Sequence, residues 1–445
     1  MSALPDMIKQ GESARLFPVL ADTSREGRIA SVFLALLPNI PAFAQCILGT
    51  AGLRVGARTR IRTFTEIVLR DASEIRNRPD GLIVVETGKT TWTALVEAKI
   101  GKAELDADQV ARYLDAAKAN QIDAVITMSN QFVARADVSP LVLPKNTLKK
   151  AGLFHWSWTW IRTQCDLIAH QKEVEDHEQA FLLREFQRLL QHPTTGIERF
   201  TQMGPNWKTV VQAVSMQEAL KRTSPEVEET VAAWFQELRD MSLLLSSHVG
   251  QPVTEKIDRN LLVEPSARLK EGCRRLAEEN RLAGSFVVPA AASEIEVCAD
   301  LARRSIMFGM KLKAPQDRKS TRARVNWLLR MLKEDDPRLA IRAHWPGRRQ
   351  PSQKDVSVLR ADPDAIDEEK SEATPHAFDV LLVDLDAKRF AGRRTFIETL
   401  EACSQDFYDL VGQNLRAWQT PPPKPVKTGE AAPIAEDHDE AGGTP

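Results

Sequence analysis

The sequence predicts an α/β protein: a mixed α/β unit, then a helical segment, then a second α+β domain. Three observations lead there. Over residues 1–168 the apolar period switches in the order helix, three strands, helix, strand, the pattern of a sheet covered by helices. Residues 169–254 are rich in Glu, Gln and Arg and read as helices broken at "HPTTG" and "MGPNW". Over 255–418 short strand-like runs return among helices. The last stretch, 419–445, is Pro-rich and acidic with few apolar groups, and disorder is expected there.

In the first unit, "SREGRIASVFLALLP" reads as a helix with Ser24 as N-cap and Glu26 in the first turn, where a carboxylate suits the helix dipole. "RIRTFTEIVL" alternates as a strand does, and "PDGLIVVET" and "TTWTALVEAKI" form a hairpin about the turn "TGKT". "AELDADQVARYLDAAKAN" has apolar residues at helical spacing, "IDAVITMS" is a fourth strand and "GLFHWSWTWIRT" a fifth. In the second domain, "GSFVVPAAA", "IEVCADLA", "IMFGMKLKA", "RLAIRAHW", "DVSVLRA" and "DVLLVDLD" read as strands. "TRARVNWLLRMLKE" and "RRTFIETLEACSQDFYDLVGQNL" read as helices, and the stretch around 352–376 is acidic and expected to be flexible.

At 445 residues the chain can bury more than one core. Hydrophobic residues at 43% and charged residues at 27% are ordinary for globular proteins, and a net charge of −1 gives no global attraction to nucleic acid or membrane. An anionic partner must therefore be met by a local patch. Five scattered cysteines without a C-x-x-C argue against a disulfide framework or zinc ribbon and fit a reducing, cytoplasmic setting. Residues 29–53 carry no charge, yet Pro38, Asn39 and Pro41 interrupt them and several acids precede them. Buried core helices are expected there rather than a membrane span or a signal peptide.

Within "RPDGLIVVETGKTTWTALVEAKIG", three ionisable groups sit on otherwise apolar strands. Alternation puts Glu97 and Lys99 on one face with Thr93 and Leu95, and Asp80 opens the neighbouring strand. Pairing of the hairpin can bring all three to one end of the sheet. Two close carboxylates repel in a partly dehydrated site, and a divalent cation relieves the repulsion. Mg²⁺ (or Mn²⁺) prefers oxygen ligands and is held by one or two carboxylates, and the Ala98 carbonyl could add a ligand. Such an ion supports hydrolysis of a phosphate ester, with Lys99 orienting water and sharing charge. A surface ion pair between Glu97 and Lys99 or Asp80 is the plain alternative.

Pro79 and Asp80, followed by Glu97, Ala98 and Lys99 on the next strand, resemble the motif of the PD-(D/E)XK nuclease superfamily. The element order is similar to that family's restriction-endonuclease-like αβββαβ core, over about residues 20–135. The resemblance implies that Asp80 and Glu97 are metal ligands and Lys99 the catalytic lysine. Gln109 and Tyr113, four apart on one helical face, are similar to the Q-x-x-x-Y helix of the RecB-type branch. That likeness implies contact with the substrate backbone or the metal-bound water. Glu368, Glu369 and Lys370 also fit E-x-K, so the tripeptide alone says little.

Other signals are weaker. Glu66 or Glu26 could complete the metal site, and Glu66 is preferred because it lies in the same sheet; otherwise Glu66 faces solvent and Glu26 serves the helix dipole. Ser129, Asn130 and Gln131 follow the fourth strand and could meet phosphate or form a polar turn. Arg54, Arg58, Arg60 and Arg62 cluster beside the first unit, and residues 303–330 hold nine Lys/Arg against one acid, Asp317. Either could hold a phosphate backbone or be a solvated face. Trp156, Trp158 and Trp160 have the period of one strand face, for core packing or base stacking. His170, Glu173 and His177 share a helical face that reads as solvated. The expected function is a metal-dependent nuclease hydrolysing DNA, in defence against foreign DNA or in DNA repair. The expected partners are DNA, with no membrane, and a protein that could dock through 169–254 or the C-terminal domain; the chain could also form an oligomer. The alternative is a nucleic-acid-binding or protein-assembly component that keeps the nuclease fold without turnover.

Overall fold

The computed structural model describes residues 4–17, 25–70, 78–101, 103–131, 136–137, 139–141, 143–144, 146–171, 173–197, 199–263, 265–347, 349–369 and 373–419. Ser24, Lys370 and the tail from Thr420 lie outside these residues. The first half contains β1 (Ile8–Ser13), α1 (Arg25–Asn39), α2 (Pro41–Gly49), β2 (Thr59–Leu69), β3 (Gly81–Thr87), β4 (Thr90–Ala98), α3 (Ala107–Ala119), β5 (Ala124–Ser129), β6 (Gly152–Ser157), α4 (Trp158–His170) and α5 (His177–Gln191). Then follow α6 (Trp207–Ser215), α7 (Pro225–Val249), β7 (Thr254–Glu255), α8 (Arg259–Val263), α9 (Pro265–Glu279), β8 (Arg281–Val287), β9 (Ile295–Asp300) and β10 (Ser305–Lys313). The last elements are α10 (Thr321–Leu329), β11 (Leu339–His344), β12 (Ser352–Asp355), α11 (Val356–Ala361), β13 (Ala377–Asp384), α12 (Ala387–Ala391) and α13 (Arg393–Phe407).

Among the described residues the protein is mixed α/β with two sheets. The first has the order β1-β2-β3-β4-β5-β6, antiparallel as far as β4 and parallel from β4 through β5 to β6. Its central strands are apolar on both faces because helices cover both. Ile83, Val85, Ala94 and Val96 join a core with α1, α2, α4 and α5, whereas Leu82, Val84, Leu95 and Val125 pack with Val110, Tyr113 and Leu114 of α3. The helix α1 lies so close over the start of β3 that a Cβ on Gly81 would overlap Leu34. The second sheet is antiparallel, in the order β12-β11-β13-β10-β9-β8-β7, and shares one core with α6, α7 and α13.

Several sequence expectations change. The run "GLFHWSWTWIRT" is not one strand: Ser157 accepts the Trp160 N–H and caps α4. Trp156 therefore sits on β6 while Trp158 and Trp160 open a helix, and the shared strand face does not form. "DVSVLRA" is also a helix start, with Val356 and Leu359 buried at i and i+3 of α11. The strand β1 has no apolar signature, being a mostly exposed edge strand. Residues 169–254 divide between cores: α5 packs Leu183, Phe186 and Leu190 beneath the first sheet, and α6 and α7 join the second. Because α4 ends at His170 and α5 begins at His177, these two histidines share no helix face. Residues 29–53 form α1 and α2, bent by 110° at their junction, and among the described residues no single helix is long and apolar enough to cross a membrane.

Candidate active site at the ends of β3 and β4

Register places Gly81 opposite Val96, so Asp80 lies where β3 begins and β4 ends. The Asp80 Oδ2 accepts the Ala98 N–H at 2.7 Å, which holds the carboxylate against the last residue of β4. Glu97 shares its face with Leu95 and looks toward α3, and it is only 2% exposed. Its Oε1 accepts from the Lys99 ammonium at 2.6 Å and the Gln109 amide at 2.9 Å. Its Oε2 is buried without a hydrogen-bond partner. The helix α3 begins where Asp106 accepts the Asp108 N–H, and that start aims Gln109 and Tyr113 at the carboxylates. The Gln109 Nε2 also donates to the Tyr113 hydroxyl at 2.9 Å, which in turn donates to the Arg78 carbonyl at 3.2 Å. Glu97, Lys99, Gln109 and Tyr113 thus form one hydrogen-bonded group, and Asp80 stands beside it on the Ala98 N–H. In the Glu97–Lys99 pair Glu97 is buried and Lys99 half-buried, unlike the exposed surface-edge pair considered as the plain alternative.

The charges act on one another. Desolvation first, and the Glu97 charge second, push the Asp80 carboxyl up to about 7. Burial raises Glu97 as well, against the lowering effect of Lys99. For Lys99 burial favours the neutral amine, but the hydrogen bond and charge of Glu97, with Glu26 and Asp80 behind them, outweigh it and raise the pKa. Lys99 therefore stays a cation. Burial, then the Glu97 charge, raise the Tyr113 phenol, which stays a neutral donor.

The segment after β4 is clamped from two sides. The Trp158 indole donates to the Lys99 carbonyl at 2.9 Å. The Gly101 N–H donates to the Gly196 carbonyl at 2.9 Å, and the Asn130 amide donates to both Gly101 and Gly196 carbonyls at 3.1 and 2.8 Å. Asn130 thus ties two loops together, and the Ser129 hydroxyl accepts the Gln131 N–H within a local turn.

The third acid beside this group is Glu26 rather than Glu66. Glu26, 34% exposed at the start of α1, accepts the Ile100 N–H at 3.3 Å and lies 3.9 Å from the Lys99 ammonium. Glu66 is exposed with φ 54°, at a bulge where the β1–β2 register slips between Glu12 opposite Thr65 and Gln10 opposite Val68. A bulge breaks the alternation on which the preference for Glu66 rested. Of the arginine cluster, Arg58 and Arg60 are exposed at the end of the hairpin where Thr59 faces Thr87, six residues of β3 from Gly81 and roughly 20 Å from the acids, and Arg54 is exposed in the loop before β2. Arg62 pairs with Glu86 at 2.5 Å. Sequence reasoning missed Trp158, whose indole supports Lys99; a run of alternating Trp carried no sign of which would turn inward.

The donor set suits a hard divalent ion. Two carboxylates converge, one oxygen is buried without a partner, and no sulfur or imidazole belongs to the group. Ala98 contributes its N–H to Asp80, so its backbone borders the same space. No protein-family model matches the chain, and no curated protein or solved structure matches it.

Proposed function

We propose that the chain is a divalent-metal-dependent nuclease that hydrolyses DNA phosphodiester bonds on a restriction-endonuclease-like core of the PD-(D/E)XK type. The reading rests on the Glu97 carboxylate, buried with one oxygen held by Lys99 and Gln109 and the other without a partner, beside the Asp80 carboxylate. An unpaired buried polar atom costs about 1–3 kcal/mol, and more when charged, and a bound cation would offset that cost at Glu97. Asp80 and Glu97 would hold Mg²⁺ or Mn²⁺, with the Ala98 carbonyl and Glu26 nearby. When bound, the ion supplies positive charge at the scissile phosphate. Lys99, kept protonated, donates to the attacking water or to a phosphate oxygen. Gln109 fixes the orientation of Glu97 by holding Oε1, and Tyr113 stays a neutral donor that positions the strand. DNA as substrate, and a role in defence or repair, come from the resemblance of the motif.

Incubating the full-length protein with plasmid and linear DNA in Mg²⁺, Mn²⁺ or EDTA, beside Lys99→Ala, tests this. The expected result is cleavage that needs the metal and disappears in the variant. DNA binding without cleavage in the wild type would point to a binding module, and neither would point to an assembly component; both outcomes overturn the enzyme reading.

A further inference from the structure

A second group of acids lies far along the chain from Asp80 and Glu97. Glu237 and Asp240 on α7 and Glu401 on α13 each bring one carboxylate oxygen within 4.8 Å of the others. Glu237 and Asp240 are 0% exposed. Arg199 donates to Asp240 at 3.0 Å and to Glu401 at 3.0 Å, so two of the three acids share one guanidinium. Glu237 receives nothing: both of its oxygens are buried without a hydrogen-bond partner, although one of them lies within the cluster. A buried, unshared carboxylate is among the costliest arrangements a core can hold.

The surrounding charge has the same sign. Asp166 on α4 acts on Arg162, which also acts on Asp240 and Glu401. With all four carboxylates (Asp166, Glu237, Asp240, Glu401) ionised, they outnumber the two guanidiniums (Arg162, Arg199) by two. One proton on Glu237 would remove one of these two excess charges. A divalent cation removes both. The donors are all carboxylate oxygen, which selects a hard ion over zinc or copper, and Glu401, 24% exposed, opens the cluster to solvent.

We propose that Glu237, Asp240 and Glu401 hold a structural divalent cation of the Mg²⁺, Mn²⁺ or Ca²⁺ class that fastens α7 to α13. The inference does not depend on the nuclease reading. The test uses Mn²⁺ itself as probe on EDTA-stripped, full-length protein. The variant carrying Asp80→Asn and Glu97→Gln removes the first candidate site, so its titration, followed by the electron spin resonance of free Mn²⁺, reports the second. One bound Mn²⁺ per chain and a raised melting temperature are expected there. Adding Glu237→Gln, which keeps the shape and removes the charge, should abolish both. Glu401→Gln, at the solvent edge, should weaken binding and serves as the second variant if Glu237→Gln does not fold. No bound Mn²⁺ in the double variant, or binding unchanged by Glu237→Gln or Glu401→Gln, overturns the proposal.

Discussion

Asp80 and Glu97 repel each other in a site with little water, and that repulsion has a measurable sign. The Asp80 carboxyl, ordinarily near 3.8, is raised to about 7 in the fold. The unfolded chain therefore ionises first as pH rises, so the stability this group contributes is fully present below pH 3.8 and lost by about pH 7. In EDTA, Asp80→Asn should flatten this dependence and raise the melting temperature at pH 8, where the wild type carries the unrelieved charge; thermal melts across pH check it. The sign reverses with metal. Because a bound ion needs the ionised carboxylate, its uptake below pH 7 displaces a proton, and affinity should climb about tenfold per pH unit there. Calorimetric titration with Mn²⁺ in buffers of different protonation enthalpy would read that proton, and a flat profile would remove Asp80 from the ligand set. These acids were legible in the sequence because charged side chains interrupt otherwise apolar strands, where a surface ion pair was the one plain use to weigh against a site. Glu26 was not: a carboxylate in a first helical turn serves the dipole equally well, and only the packing of α1 over the start of β3 shows where it points.

One level up, the loops that follow β4 and α5 meet through glycine. Gly196 has φ +70°, and a Cβ there would stand 3.0 Å from the Gly101 nitrogen and 3.1 Å from its Cα. Gly196→Ala should therefore destabilise the protein by about 1–2 kcal/mol from the left-handed backbone alone, with a further loss from displacing Gly101. Lys99 lies two residues before Gly101, so if the site cleaves DNA as proposed, turnover should fall more than Mn²⁺ affinity does; urea denaturation and steady-state cleavage separate the loss of stability from the loss of turnover. Trp158→Phe keeps most of the packing but removes the donor to the Lys99 carbonyl, and under the proposed nuclease activity a fall in turnover with little change in Mn²⁺ affinity is expected. The hairpin and α3 could be read from period and turn chemistry because each is local. The β6–α4 junction could not. Residues 156–160 fit period two as well as a helix start, and the Ser157 cap decided it.

At the scale of the whole molecule, α4 joins the two cores. Its first residue supports Lys99, and its Asp166 accepts from Gln187 of α5 at 2.9 Å and from Ser247 of α7 at 2.8 Å. Composition marked residues 169–254 as helical but could not say which core each helix serves, since an amphipathic stripe does not name its partner. Charge is distributed on the same scale. With a net charge of −1 the chain has no long-range pull on DNA, so the phosphate contacts of the proposed nuclease would have to come from patches. The basic stretch 303–330 is thinner in the fold than in the sequence: Arg322 pairs with Asp362 and Asp364, and Arg318 lies 3.8 Å from Asp317. Lys313 and Lys319 are exposed on it. If this face holds the DNA backbone, Lys313→Gln and Lys319→Gln should each lower the slope of log affinity against log salt by about one, with cleavage at saturating DNA unchanged. Fluorescence anisotropy across a salt series measures that slope. An unchanged slope would move the contacts to Arg58 and Arg60, at the far end of the hairpin, with Arg54 in the loop before β2, and would require the duplex to run along the length of β3 to reach Asp80.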